Sequence, residues 1–367
     1  MNRLTEARQI IDRVDGEMAK LFAERMKAVA LVAEVKKEYG LQIFDPAREA
    51  EVVRRNAARM EDEELKSYYI RFLQSNMEIS RSYQSRLLDG MRVAYSGVNG
   101  AFGQIAAHRI FPDAKLVSYP DFLAAYDAVC NGDCDCAVLP LENSYAGDVT
   151  QVVDRAYEGN LYINGIYDLE IVQNLLGLPD AEIGEIKEVV SHPQALSQCA
   201  GYLKEQGFAT TPATNTAVAA CRVAEEGRKE LAAVASMETA RLYGLKVLEA
   251  HINESNSNTT RFAVFSKGEN RPTGKESRFI MFFTVRNEAG SLGRAVSVIG
   301  RNGFNLRALK SRPTKNANWE YYFYVEGEGN LQTPEGKRML EELSATCSSI
   351  KVVGAFEGEK LLKEEDQ

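Results

Sequence analysis

The stretch Asp89-Gly90-Met91-Arg92-Val93-Ala94-Tyr95 divides the chain into two textures. Before it, residues 3–88 contain one proline and two glycines. Apolar residues recur there at helical spacing: Leu4, Ala7, Ile11, Val14, Met18, Leu21, Val29 and Val32. Gly40 ends this first helix. Asp45-Pro46 opens a second, with aspartate as N-cap and proline at the first helical position. A third helix is expected from Glu63 to Leu88, striped by Leu65, Tyr69, Phe72, Leu73, Ile79 and Tyr83. Residues 1–89 therefore read as an all-α segment of three helices. A long helix cannot bury its own stripe, which predicts an intertwined homodimer.

After Asp89-Gly90 the pattern changes to short apolar runs separated by helical ones. Met91–Tyr95, Asp135–Leu139, Lys187–Val190 and Leu231–Ala235 read as strands, so residues 91–267 are expected to form an α/β sheet domain. Residues 267–277 are polar and read as a linker. Beyond it, residues 278–360 read β-α-β-β-α-β: Phe279–Val285, Ser291–Arg301, Asn305–Ser311, Tyr321–Glu326, Pro334–Leu343 and Ile350–Phe356. That order is ferredoxin-like, an α+β fold. Three domains suit 367 residues.

Composition narrows the function. No run of about 18 apolar residues is present, so no membrane span is expected. The charged stretch Met1–Lys20 has no signal-peptide core, and the cytoplasm is the expected location. A net charge of −8 makes a poor nucleic-acid binder. Residues 1–89 carry 16 Lys and Arg against 16 Asp and Glu, so an anion bound there must be held by a few aimed cations. Cys130, Cys134 and Cys136 cluster, yet no second Cys/His group supplies the remaining ligands of a zinc site. They read as small core residues, and neither metal nor cofactor is expected.

Arg25 and Lys36 are 11 residues apart, hence within about 20° on one helix face and about 16 Å apart along it. Arg8 lies 17 residues before Arg25, about 25 Å away on another face. It can join the same ligand only from a partner protomer. Ser80 and Gln84 share a face of the third helix. Singly, each cation reads as a solvated surface charge. As a set they resemble the all-helical chorismate mutase family, whose active-site positions fall in order on Arg8, Arg25, Lys36, Asp45, Arg48, Glu49, Ser80 and Gln84. The resemblance implies that Arg25 and the partner's Arg8 clamp the two carboxylates of chorismate. It implies that Lys36 and Gln84 donate to the ether oxygen and that Glu49 holds the ring hydroxyl. Asp45, Arg48 and Ser80 would position these groups.

Residues 91–267 resemble prephenate dehydratase domains, with a two-lobed fold like that of periplasmic binding proteins. The motifs are Gly97-Val98-Asn99-Gly100-Ala101-Phe102, Leu141-Glu142-Asn143-Ser144, Ser191-His192-Pro193-Gln194, and Thr259-Thr260-Arg261-Phe262 after Asn256-Ser257-Asn258. The resemblance implies that Thr260 gives a proton to the departing hydroxyl of prephenate and that Arg261 anchors or orients. Asn143, Ser144 and Thr216 would line the cleft. His192 is expected to be structural, at a strand-to-helix turn with Ser191 as cap. Ala101 and Gly103 stand where the family usually has hydroxyl residues.

Residues 278–360 resemble the ACT regulatory domain. The matches are Gly290-Ser291-Leu292, Asn305-Leu306, Ser311-Arg312-Pro313 and Trp319-Glu320-Tyr321. Such domains bind an amino acid between two copies. Phenylalanine is the expected effector, with Gly290, Leu292, Asn305, Ser311 and Arg312 as regulatory residues. Ser291 and Lys310 depart from the family's alanine and glutamate. The combined resemblance implies conversion of chorismate to prephenate and of prephenate to phenylpyruvate. The alternative is a mutase fused to a catalytically silent ligand sensor, which Ala101 and Gly103 favour and the intact Thr260-Arg261-Phe262 opposes.

Overall fold

The computed structural model describes residues 3–254, 258–272, 276–314 and 321–362. Asn256, Ser257, Trp319, Glu320 and the middle of the expected linker lie outside them. The chain divides into two compact units: the three helices, and the body that starts at Val93. No described helix is long and apolar enough to cross a membrane.

The first unit holds the helices Arg3–Tyr39, Pro46–Ala57 and Glu63–Asp89. Asp45 caps the second by accepting the Arg48 N–H at 3.0 Å. Asp62 caps the third, and Gly90, at φ +76°, stops it. Few apolar side chains are buried here; they are Ala33, Ala57 and Met77 among the described residues. Ile11, Val14, Met18, Leu21, Leu31 and Val32 stay 38–64 % exposed along the first helix.

The second unit contains two sheets. The larger runs, in spatial order, Asn305–Pro313, Tyr321–Glu328, Ser277–Thr284, Ser349–Glu357, Tyr162–Glu170, Thr259–Ser266, Cys136–Asn143, Arg92–Ser96 and Lys115–Tyr119. The smaller runs Lys246–Glu249, Asn174–Gly177, Leu231–Ala235, Glu188–Ser191 and Ala209–Pro212. The chain passes between the sheets twice, after Glu170 and before Thr259, which makes two lobes. Strand alternation explains the smaller lobe: Leu231, Ala233 and Ala235 pack with Ala219, Ala220 and Val223 on one face, while Ala232 and Val234 pack with Cys199 and Leu203 on the other. A strand buried on both faces reads as a continuous apolar run.

The last segment follows the expected β-α-β-β-α-β order, its four strands antiparallel throughout. Helices Ser291–Arg301 and Pro334–Thr346 contribute Ala295, Val298, Ile299, Met339 and Leu343 to the core on one face. The other face packs on helix Thr150–Glu158, where Tyr157 stacks on Tyr322 with ring centroids 4.0 Å apart. Lys351 Nζ donates to the Ala156 and Tyr157 carbonyls at 3.0 and 2.6 Å, near the end of that helix. Strand Ser349–Glu357 meets Tyr162–Glu170 at Gly354, where a Cβ would come 2.7 Å from the Ile163 carbonyl oxygen. Only glycine allows that approach.

Two candidate active sites

In the helical unit, Arg25 Nη1 donates to Ser80 Oγ, tying the first helix to the third. Burial pushes the Arg25 guanidinium below its ordinary range. Ser80 and Gln84 are buried polar groups, and Gln84 Oε1 has no hydrogen-bond partner among the described residues. A buried orphan acceptor is costly unless a ligand completes it. Lys36 Nζ donates to the Ile43 carbonyl. Glu49 receives Arg81 Nη1 on both oxygens at 2.5 Å, and the Arg81 guanidinium lies 5.1 Å from the Phe44 ring centre. Arg81 is a residue that sequence reasoning missed. Its position, one after Ser80 and three before Gln84, was the available signal. Two expected residues stand apart: Arg48 pairs with Glu51 at the surface, and Arg8 is exposed on the first helix.

Between the two lobes lies a cleft of about 950 Å³. Thr260, Asn143, Thr216, His192 and Gln194 line it together with apolar groups such as Phe102, Phe122 and Phe262. Among the described residues lining it there is no Lys or Arg. Asn143 is the pivot. Its Oδ1 accepts the N–H groups of Tyr145 and Ala146 at 3.0 and 2.9 Å. That identifies the other amide atom as Nδ2, which donates to Thr260 Oγ1 and Asn258 Oδ1, both at 2.9 Å. Thr260 Oγ1 thus accepts from Asn143, and its single proton is left to point elsewhere.

Several expectations change. Arg261 does not enter the cleft. Successive strand residues face opposite sides, so Arg261 points away from the side of Thr260 and Phe262. Its guanidinium donates to Glu326 at 2.9 and 3.0 Å and to Glu359 at 2.5 Å, with Glu142 at 3.4 Å. Glu326 is 1 % exposed, which makes this a buried structural pair. Ser144 also leaves the cleft wall, because its Oγ accepts the Thr259 N–H at 2.9 Å. The helix Pro193–Gln198 is capped by His192, whose Nδ1 accepts the Gln194 N–H at 3.2 Å. Ser191 instead donates to the Val234 carbonyl at 2.6 Å. Burial pushes the His192 imidazole down, and because Nδ1 accepts the Gln194 N–H, the neutral ring carries its proton on Nε2. Gly103 has a packing reason, since a Cβ there would sit 3.1 Å from the Ser96 carbonyl oxygen.

In the last segment, Gly290, at φ +80°, starts helix Ser291–Arg301, and Leu292 packs against the core. Asn305 and Ser311 lie on the exposed side of their strand, and Asn305 donates to Glu328 at 3.0 Å. Arg312 is on the other side. Its Nε donates to Asp154 Oδ1 at 3.0 Å and to Tyr322 Oη at 2.9 Å, so the structure does not group it with Asn305 and Ser311.

A helical unit with aimed cations, joined to a two-lobed α/β cleft with an oriented hydroxyl, defines a chain with two small-molecule sites. Residues 7–85 match the chorismate mutase type II family, and residues 93–270 match the prephenate dehydratase family. The chain is 31 % identical over 361 residues to a bifunctional chorismate mutase/prephenate dehydratase of Aquifex aeolicus, covering 97 % of this chain and 98 % of that one. A prephenate dehydratase of Arthrobacter aurescens, solved in complex with L-Phe, shares the fold at TM-score 0.68 and 24 % identity over 73 % of this chain and 90 % of that one. A structure described as a novel type of quorum quenching acylase, GqqA, aligns at TM-score 0.68 and 30 % identity, covering 73 % and 98 %. The chain belongs to the bifunctional chorismate mutase/prephenate dehydratase family.

Proposed function

We propose that this chain carries out two consecutive steps of phenylalanine biosynthesis, chorismate to prephenate in residues 1–89 and prephenate to phenylpyruvate in residues 91–267. The observation that carries the second step is the Asn143–Thr260 pair. With Oγ1 accepting from Asn143, the Thr260 proton is available to a group bound in the cleft that Thr260 lines. There it passes to the departing ring hydroxyl of prephenate as the C–O bond breaks. The ring carboxylate leaves as carbon dioxide, and its bonding pair completes the aromatic ring. The enzyme adds the proton and the orientation. Substrate carboxylates are held by neutral donors, the His192 Nε2–H, the Thr216 hydroxyl and the uncapped start of helix Phe102–Ile110, whose N-cap Ala101 has no side-chain acceptor.

In the mutase site, Arg25 grips one carboxylate and the partner's Arg8 the other, where the guanidinium fork suits a carboxylate. Lys36 and Gln84 meet the ether oxygen. Glu49 meets the ring hydroxyl, with Arg81 holding its carboxylate. Asp45 and Arg48 set the start of the second helix, and Ser80 orients Arg25. The exposed apolar stripe of the first helix supports a homodimer, which also delivers the partner's Arg8. A cytoplasmic location is part of this reading.

Residues 278–360 act as an ACT domain of ferredoxin-like fold. The two-three-one-four spatial order of its strands supports this. Phenylalanine is its effector, held around Gly290, Leu292, Asn305 and Ser311, and Arg312 instead ties the domain to Asp154. The test is phenylpyruvate formation from purified prephenate with and without millimolar phenylalanine. Product that phenylalanine suppresses is expected. No product would leave a mutase carrying a binding domain.

A further inference from the structure

Lys310 stands where the sequence departs from its family, and its contacts are with the catalytic lobe. Its Nζ donates to Glu142 Oε1 at 2.7 Å and to Asp148 Oδ1 at 2.6 Å. Those two acids are direct partners across a hairpin, Glu142 opposite Asp148 and Asn143 opposite Gly147. Like charges placed opposite each other in a sheet repel. The other cations near them lie farther off and each reaches one acid: Arg261, paired with Glu326 and Glu359, is 3.4 Å from Glu142, and Arg312, paired with Asp154, is 3.9 Å from Asp148. Lys310 therefore closes the base of the hairpin. The turn of the same hairpin supplies the Tyr145 and Ala146 N–H groups that hold Asn143 Oδ1, and Asn143 in turn orients Thr260.

We infer that Lys310 is a positioning residue for the dehydration step, acting from the regulatory strand through Glu142 and Asp148 on Asn143 and so on the Thr260 hydroxyl. The inference rests on the cleft being the dehydratase site. Lys310 sits outside the cleft lining, so its loss acts on turnover rather than on substrate affinity. It also gives the strand that carries Asn305 and Ser311 a short route to the catalytic pair, because both ends of the tie are charged groups in mutual contact.

The test uses the full chain with Lys310→Met, which keeps the aliphatic stem and removes the charge, beside Lys310→Arg. For Lys310→Met, kcat on prephenate is expected to fall about tenfold, 1.4 kcal/mol. KM should stay within about twofold and chorismate turnover should be unchanged. Lys310→Arg, whose fork spans two carboxylates, should restore at least half of kcat. An unchanged kcat, a loss carried by KM, or an arginine variant as slow as the methionine one overturns the inference. Amide hydrogen exchange provides a readout independent of turnover. In Lys310→Met the Tyr145 and Ala146 amides should exchange about tenfold faster, while those of Leu231–Ala235 keep their rate. Unchanged exchange at 145 and 146 also overturns it. Faster exchange in a chain that makes no phenylpyruvate would keep the hairpin tie and remove the dehydratase reading.

Discussion

Replacing Thr260 by valine removes one hydroxyl and changes little else, so it separates chemistry from folding. Thr260 is 9 % exposed on a strand paired on both sides, and valine has nearly the same shape and a strong strand preference. The lost interaction is one hydrogen bond from Asn143 Nδ2, which keeps Asn258 Oδ1 at 2.9 Å. A net hydrogen bond contributes about 0.5–1.5 kcal/mol, so the melting temperature should drop by no more than about 4 °C. The catalytic loss is larger. A positioned proton donor contributes about 10²–10⁴ in rate, or roughly 2.7–5.4 kcal/mol of barrier. Dehydratase kcat of Thr260→Val should therefore fall by at least about a hundredfold, while chorismate turnover by the same preparation stays normal. Phenylpyruvate is read by its absorbance in alkali, chorismate by its disappearance. Thr260→Ser, which keeps the hydroxyl, should recover most of the rate. A valine variant within tenfold of the parent would remove Thr260 from the proton-donor role, and so would a serine variant as slow as valine.

Arg25→Ala should abolish mutase turnover, by at least about a hundredfold, because one carboxylate clamp and the tie to Ser80 go together. Dehydratase turnover should persist, and loss of both in a folded protein would refute separate sites. Arg81→Leu should lower mutase kcat/KM about tenfold by releasing Glu49, in line with removal of a charge-assisted bond of roughly 1.5 kcal/mol; an unaffected kcat/KM would mean that Glu49 needs no second holder. Burial, helped by the neighbouring Glu359 charge, raises the Asp168 carboxyl above its ordinary 3.8, and its Oδ1 has no hydrogen-bond partner among the described residues. A raised carboxyl favours the fold at pH below 3.8 and loses that contribution as pH rises through the folded value. Asp168→Asn should therefore match or exceed the parent in melting temperature at neutral pH, with the gap closing toward the parent's acid range. A variant less stable at neutral pH, and relatively better in acid, would reverse the sign and refute the account.

Much of the architecture is legible without coordinates because it depends on local rules. Helical spacing, the Asp45-Pro46 start and the Gly40 and Gly90 stops are properties of adjacent residues: the first helix ends at Tyr39, the second starts at Pro46 and the third spans Glu63–Asp89, each within a residue of expectation. The β-α-β-β-α-β order of the last segment follows from the same alternation of periods. Thr260, Asn143 and Thr216, which the family resemblance implies, are brought by the fold to one cleft. Direction and partnership are another matter. Arg261 follows Thr260 in the chain yet faces the opposite side of the sheet, because the strand's side chains alternate. Ser144 sits beside Asn143 but is turned away by the hairpin. Arg312 and Lys310 find Asp154, Glu142 and Asp148 at sequence separations of 158 to 168 residues. Arg81 finds Glu49 across 32. A charge carries no mark of its partner in the sequence, since Coulomb attraction depends on distance in space. That distance is set by strand register and by which lobe packs on which sheet, so only the folded chain decides which cations serve the sites and which hold the scaffold behind them.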